Sequence, residues 1–359
     1  MTLIWTGFIV FVLLMLALDL GVFHRHSHVV TMREALGWSA VWITLGLLFS
    51  IFVYFGYEHH WLGLGNQPDP ADGLINHGRT ATLKYLTGYV VEKSLSVDNV
   101  FVIAMIFGFF GVPSLYQHRV LFWGVLGALV LRGIMIGVGA ALIAQFHWIL
   151  YLFGAFLVVT GVKMLLAKTE AVHPDRNPLV RLLRRLVPIT THFHGEHFAV
   201  RAGSAAAREG VLPGSATTEP DPVLERAPAG TWLLTPLAVA LVMVETADLV
   251  FAVDSIPAIF AITADPFLVF TSNVFAILGL RSLYFALAGL LDRFKYLKLS
   301  LSLVLMIVGL KMLAAKQLKA AVGENFNFYL LGLILLILAS GVLVSWVEGR
   351  DRNATRPAG

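Results

Sequence analysis

Six carboxylates sit inside stretches of this chain that are otherwise apolar: Asp19, Glu92, Asp98, Glu245, Asp248 and Asp254. Arg132 and Arg281 are the deep basic residues of the same stretches, Lys163 and Lys311 lie near span ends where they can reach for solvent, and Lys93 is left uncounted, so six acids face two deep bases and negative charge is in excess by four. A charged side chain at the centre of a membrane helix costs about 2.5–3.5 kcal/mol, so such groups are paired, or they mark an ion or proton path. An excess of negative charge suits a cation. Carboxylates with Ser96 and Asn99 beside Glu92 and Asp98 offer hard oxygen ligands, which fit Mg²⁺, Ca²⁺ or Mn²⁺. The same carboxylates can carry protons, which makes exchange of metal for H⁺ a natural reaction. A structural ion network, with the acids paired to the arginines or protonated, is the competing account.

The densest acidic run is VETADLVFAVDS, Val244 to Ser255. At about 100° per residue, Glu245 and Asp248 share a helical face about 60° wide, while Asp254 falls about 180° from Glu245. Pro257 has no N–H for the carbonyl of Val253, so the sequence predicts a kink or unwinding around Asp254 and Ser255 that swings Asp254 back toward the site. On the first acidic helix Glu92, Ser96 and Asn99 share a face. Serines there serve equally well as small residues that hydrogen-bond within or between helices.

Positioning these groups requires membrane helices. The 359 residues are 58% hydrophobic and 13% charged, and mean hydropathy is +0.79, outside the balance of a soluble domain. The reading is an all-α, polytopic membrane protein of about nine transmembrane helices. The spans are Thr2 to Val22, Leu36 to Tyr57, Leu83 to Phe110, Val120 to Ala144, Trp148 to Ala167, Leu233 to Ile262, Phe267 to Leu290, Leu299 to Ala315 and Phe328 to Val347. Lys and Arg concentrate in alternate connections, which places those faces in the cytoplasm, the N-terminus outside and the C-terminus inside the cell (inner) membrane. The apolar N-terminus has no basic leader and no small-residue cleavage site, so it reads as a retained span. The formal charge of +4 is explained by these loops and not by nucleic-acid binding.

The chain also matches itself. VDNVF around Asp98 aligns with ADLVF around Asp248, Arg132 with Arg281, and Gly161, Lys163, Met164, Leu165 with Gly309, Lys311, Met312, Leu313. Each copy holds three spans, an odd number, so the copies are two inverted three-helix repeats, an arrangement that places a site at the repeat interface and permits alternating access. The organisation expected is 1–82 for an N-terminal two-helix region with its extracytoplasmic loop, then 83–167 for the first repeat. A cytoplasmic linker at 168–232 precedes the second repeat, 233–315, and a final helix and tail at 316–359. The linker is rich in Arg, Gly, Ala and Pro and too poor in large apolar residues to build a core, so a flexible segment is expected.

Other signals carry less weight. HFHGEH, His192 to His197, has the composition of a chelating tract, as does HRHSH, His24 to His28, though loop histidines are usually only polar. With no cysteine, thiolate metal sites, disulfides and cysteine nucleophiles are excluded. No Walker A, GxSxG or HExxH motif is present, so neither ATP-driven pumping nor enzymatic activity is expected.

The stretches ALDLGVFHRHSHVV, GYVVEKSLSVDNVFV, VETADLVFAVDSIPAIFAIT and DPFLVFTSNVFAILGLRSLYFALAGLLDRF closely resemble the TerC family of bacterial integral membrane proteins. The likeness runs from about Leu16 to Leu313. That family is named for tellurite resistance, some members are implicated in manganese efflux, and it is grouped with relatives of the lysine exporter superfamily. The resemblance implies that Glu92, Asp98, Glu245, Asp248 and Asp254, with Asp19 a weaker addition, line an ion path for Mn²⁺, without a permanently bound cofactor. Partners implied are Mn²⁺, H⁺ and the lipid bilayer. The alternative is a non-transporting scaffold in metal or tellurite stress.

Overall fold

The structure is a computed structural model that describes residues 2–21, 30–146, 148–166, 178–208, 210, 221–287, 297–314, 317 and 326–354. Helices α1 (Thr2–Gly21), α2 (Met32–Glu58), α3 (Gly78–Phe110), α4 (Ser114–Gln145) and α5 (Ile149–Leu166) lead to the linker. The linker holds α6 (Pro178–Leu186), β1 (Ala199–Arg201), α7 (Pro222–Arg226) and β2 (Trp232–Leu234). Then come α8 (Pro236–Phe260), α9 (Pro266–Leu278), α10 (Leu280–Leu287), α11 (Leu297–Leu313) and α12 (Phe326–Ala354).

The chain is a polytopic all-α membrane protein. Among the described residues six helices are long and apolar enough to cross a bilayer: α2, α3, α4, α5, α8 and residues Asn327–Ser345 of α12. The pair α9 and α10, bent by 40° at Gly279, is a seventh candidate, and Thr2–Leu18 and Leu299–Leu313 are shorter apolar helices. Along α4, Val130, Ile134 and Val138 are 57%, 58% and 55% exposed, while Arg132 is buried. That stripe, spaced at four residues, is lipid-facing, and the opposite stripe carries the polar core.

Local chemistry sets the ends. Gly111, at φ 61°, terminates α3 in a left-handed conformation that a glycine adopts without strain. Pro236 and Pro266 open α8 and α9 at first-turn positions, where a missing N–H is harmless. Asp265 caps α9 by accepting from the amides of Phe267 and Leu268 at 3.0 and 3.4 Å.

The expectations for Pro257, for Lys311 and for a core in the linker are corrected. Pro257 does not break α8, which runs continuously to Phe260. The proline lies in the last turn, so the disruption it brings falls near an end that terminates anyway, and Lys311 donates to the Ala261 carbonyl just beyond. The real interruption is at Gly279, where the Lys93 ammonium donates to the Ala276 carbonyl at 3.1 Å. A cation at a helix C-terminus satisfies carbonyls that the break leaves without amide partners. Lys311 is therefore a buried capping residue, not one that reaches for solvent.

The linker, among its described residues, builds the small core that its composition argued against. Its Ala199–Arg201 and Trp232–Leu234 strands pair antiparallel, and Val200, Ala202, Ala207 and Leu233 form a small buried cluster. Small side chains suffice because the backbone is held elsewhere. The buried Asp221 carboxylate accepts amides of Thr191, His192, Val223 and Leu224. Burial pushes that carboxyl up, but those amide bonds outweigh it and hold it below the ordinary carboxylate value.

Helix α5 makes its largest contact with α11, while α3 and α4 pack on α8 and α9. Gly154 and Gly309 approach each other's carbonyls so closely that a Cβ at either would lie 3.1 or 2.8 Å from the opposite oxygen, and a Cβ on Gly161 would lie 2.8 Å from the Ser302 carbonyl. As numbering rises from Gly154 to Gly161, the partner falls from Gly309 to Ser302, so α5 and α11 run antiparallel.

Candidate functional site

Glu92 lies midway along α3, Arg132 midway along α4 and Asp248 midway along α8, where contact of these three helices buries all three side chains. Arg132 is the hub. Its Nη2 donates to Asp248 Oδ1 at 2.9 Å and its Nε to Asp248 Oδ2 at 3.3 Å, a two-point grip that only a guanidinium provides. Its Nη1 donates to Glu92 Oε1, to Ser255 Oγ at 3.2 Å and to Asn273 Oδ1 at 3.3 Å. Asn99 Nδ2 donates to Asp248 Oδ1 at 3.4 Å. Asn273 is itself held by Nδ2 donating to the Val269 carbonyl at 3.0 Å, so its oxygen is aimed at the arginine.

Glu245 lies one turn before Asp248 on the same face, as the helical spacing requires. Its carboxylate presses on Gly127 of α4 so closely that a Cβ there would collide with it. Among the described residues its buried Oε2 has no hydrogen-bond partner, and the amide oxygen of Asn99 is likewise without one. These are oxygen acceptors on α8 and α3, on the helices that carry Asp248 and Glu92.

The other sequence candidates go elsewhere. Asp254 sits on the face of α8 opposite Glu245, accepting from Thr160 Oγ1 at 3.4 Å and drawn electrostatically to Lys163, both on α5. Because α8 stays regular, nothing swings Asp254 inward. Ser96 donates to the Glu92 carbonyl at 2.8 Å, a bond within its own helix. Asp98 is half-buried on α3 and Arg281 is buried on α10. Asp19 falls in the last turn of α1 with its side chain outside the described residues, as does the whole of 24–28.

Among the described residues, no group of three or more His, Asp or Glu side chains is placed to hold a metal directly. Arg132 stands between the carboxylates instead. Within HFHGEH, His192 Nδ1 and His194 Nε2 approach Asp221 Oδ2 at 3.6 and 3.9 Å, and Glu196 pairs with Arg119 of α4 at 2.7 Å. That segment docks the linker onto the bundle.

Sequence reasoning missed two features. Asn273 carried a signal, the polar triplet Thr271, Ser272, Asn273 inside an apolar helix. The other is a buried network under the loop between α2 and α3. Lys84 Nζ donates to Asp69, Asp72 and Asn76, each at 2.8 Å. Asp69 also accepts from Thr263 Oγ1 at 2.5 Å and the Ala264 amide at 2.8 Å, and Tyr57 donates to Asp265 at 2.8 Å. One loop thus ties α2, α3 and the α8–α9 connection together.

Fold and site define a class: a polytopic helical membrane protein with a buried carboxylate–arginine centre at the meeting of α3, α4 and α8. The chain belongs to the integral membrane protein TerC family, whose model matches residues 77–353. It is 46% identical over 97% of its length to an uncharacterized membrane protein, STKORF319, of Myxococcus xanthus, covering 93% of that relative. It is 44% identical over 97% of its length to a protein of Escherichia coli strain K12 named as a candidate membrane-bound redox modulator, Alx, covering 96% of it. A relative of the same name in Salmonella typhi is 44% identical over 93% of each chain. No solved structure matches.

Proposed function

We propose that this protein is a secondary transporter that exports divalent manganese from the cytoplasm across the cell membrane in exchange for protons. The observation that carries the reading is the polarity of the centre. Glu92 and Asp248 both bind the one guanidinium, Arg132, and Glu245 lies one turn from Asp248 on the same face of α8, so these three carboxylates and one guanidinium, fully ionised, have two negative charges in excess, the charge of one divalent cation or two protons. The donors are hard oxygens, which favour Mn²⁺ and Mg²⁺ over softer ions. Loading a cation between Glu92 and Asp248 requires Arg132 to release at least one of them. Arg132 then acts as a tethered positive charge that stabilises the carboxylates between cargo ions and competes with the cargo.

The proposal includes nine crossings with the N-terminus outside, and two inverted three-helix repeats. Its support is the antiparallel α5–α11 contact. An offset of about 148 residues carries Gly154 onto Ser302 and Gly161 onto Gly309, so the Gly154–Gly309 and Gly161–Ser302 contacts exchange under the repeat relation, as a two-fold axis in the membrane plane requires.

A second reading, a membrane scaffold in a stress response, is favoured by the satisfied Arg132 pairs, which need no cargo. The name of the Alx relatives points to redox physiology. With no cysteine in this chain, thiol exchange by its own side chains is excluded. Flux in proteoliposomes with Mn²⁺, Mg²⁺ and Ca²⁺ under a pH gradient separates the readings. Gradient-driven Mn²⁺ flux that disappears in Asp248→Asn supports transport; a well-folded protein with no flux of any ion leaves the scaffold.

A further inference from the structure

We infer that α6 is an in-plane membrane helix that seats the linker on anionic phospholipid headgroups. Its sequence is PLVRLLRRL. At about 100° per residue, Leu182 and Leu186 lie about 40° apart on one side of the helix, Arg181 and Arg185 lie about 40° apart on the side next to it, and Val180 is turned away from all four.

The tertiary structure fixes what each side meets. Val180 is fully buried in the same apolar cluster as Leu237, in the first turn of α8, and α6 packs on α8. Helix α6 is therefore held at the level where a membrane span begins. Leu182 and Leu186 are nonetheless 50% and 69% exposed, and Arg181 and Arg185 are exposed as well. A row of leucines facing away from the protein at a membrane boundary, backed by a row of arginines, is the composition of a helix lying in the interface, with its leucines in the acyl region. The arginines supply the charge complementarity that selects an anionic surface, each worth about 1 kcal/mol near such a membrane.

An independent residue marks the same level. Trp232 on β2, four positions before α8 begins, is 62% exposed, and indole rings prefer the boundary between water and lipid. Strand β2 is joined to the residues after α6 by the Ile189–Leu234 bridge. The linker thus presents apolar groups to the bilayer from two of its segments.

The chain has no cysteine, so single substitutions label it uniquely. Full-length protein carrying a spin label at Leu182→Cys, Leu186→Cys, Arg181→Cys or Arg185→Cys is reconstituted in bilayers of phosphatidylcholine with or without phosphatidylglycerol. Relaxation by lipid-soluble oxygen is compared with that by an aqueous nickel chelate. The expected result is oxygen dominance at both leucine positions and nickel dominance at both arginine positions in phosphatidylglycerol bilayers. The leucine ratio should shift about fivefold toward water for each arginine removed in Arg181→Gln and Arg185→Gln backgrounds, the equivalent of about 1 kcal/mol. Leucine labels relaxed mainly by nickel overturn the inference, as do labels shielded from both reagents, which would place protein over this face. A ratio indifferent to phosphatidylglycerol overturns the anionic partner. None of these readouts depends on transport.

Discussion

Arg132 of α4 and Asp248 of α8 are joined by two bonds, Nη2 to Oδ1 at 2.9 Å and Nε to Oδ2 at 3.3 Å, with both side chains buried. The same guanidinium holds Glu92 of α3. Three helices are therefore fastened by one residue, in surroundings where a lone charge is intolerable.

Removing that residue should destabilise the protein more than its size suggests. Arg132→Met leaves two buried carboxylates uncompensated, and breaking a buried pair from one side costs about 3–5 kcal/mol. Adding Glu92→Gln and Asp248→Asn to Arg132→Met should recover most of that loss. Thermal unfolding in detergent reports it, and a triple variant no more stable than Arg132→Met would show that the pairing energy has been misassigned.

Gly127 is required by contact with the Glu245 carboxylate. Gly127→Ala should lower stability by about 1–3 kcal/mol through overpacking. The double variant Gly127→Ala with Glu245→Ala should regain that stability but show no Mn²⁺ flux. If Gly127→Ala alone is as stable as the parent, the α4–α8 approach is looser than the structure places it.

The proposed repeat makes a prediction about a second pair. Under that relation Asp248 corresponds to Asp98 and Arg132 to Arg281, so a counterpart of the Arg132–Asp248 bond would join Arg281 on α10 to Asp98 on α3, two helices that touch. A double-mutant cycle of Asp98→Asn and Arg281→Gln should give a coupling energy of at least about 1 kcal/mol. Strict additivity of the two changes contradicts the pairing.

Asp69 provides a dependence on pH outside the spans. Burial pushes its carboxyl up, but attraction and hydrogen bonding from Lys84 outweigh burial and bring it below its ordinary 3.8. A carboxyl depressed in the folded state adds stability above its unfolded value, and that contribution declines as pH falls through the folded one. The parent should therefore lose part of its thermal stability below about pH 4. In Asp69→Asn the acid-dependent part should be missing and stability at pH 7 should already be lower, which melting curves between pH 3 and 7 will test.

Much of this was legible in the sequence because a bilayer enforces simple rules. Runs of about 20 apolar residues must be helices, since only helices satisfy their own backbone in lipid. The helical period alone placed Glu245 and Asp248 on one face and Asp254 opposite, and that elementary geometry held where the expected break at Pro257 did not. A proline's effect depends on how far the helix continues, and α8 ends three residues later, with Lys311 arriving from α11 to cap it. Which carboxylates share a centre was decided only by tertiary structure. Glu92, Arg132, Asp248 and Asn273 come from four helices, and no local pattern states that one guanidinium reaches across them. Charge types can be counted along a chain, but a pair distance is set by how helices pack, and here that packing joins residues from 40 to 149 positions apart.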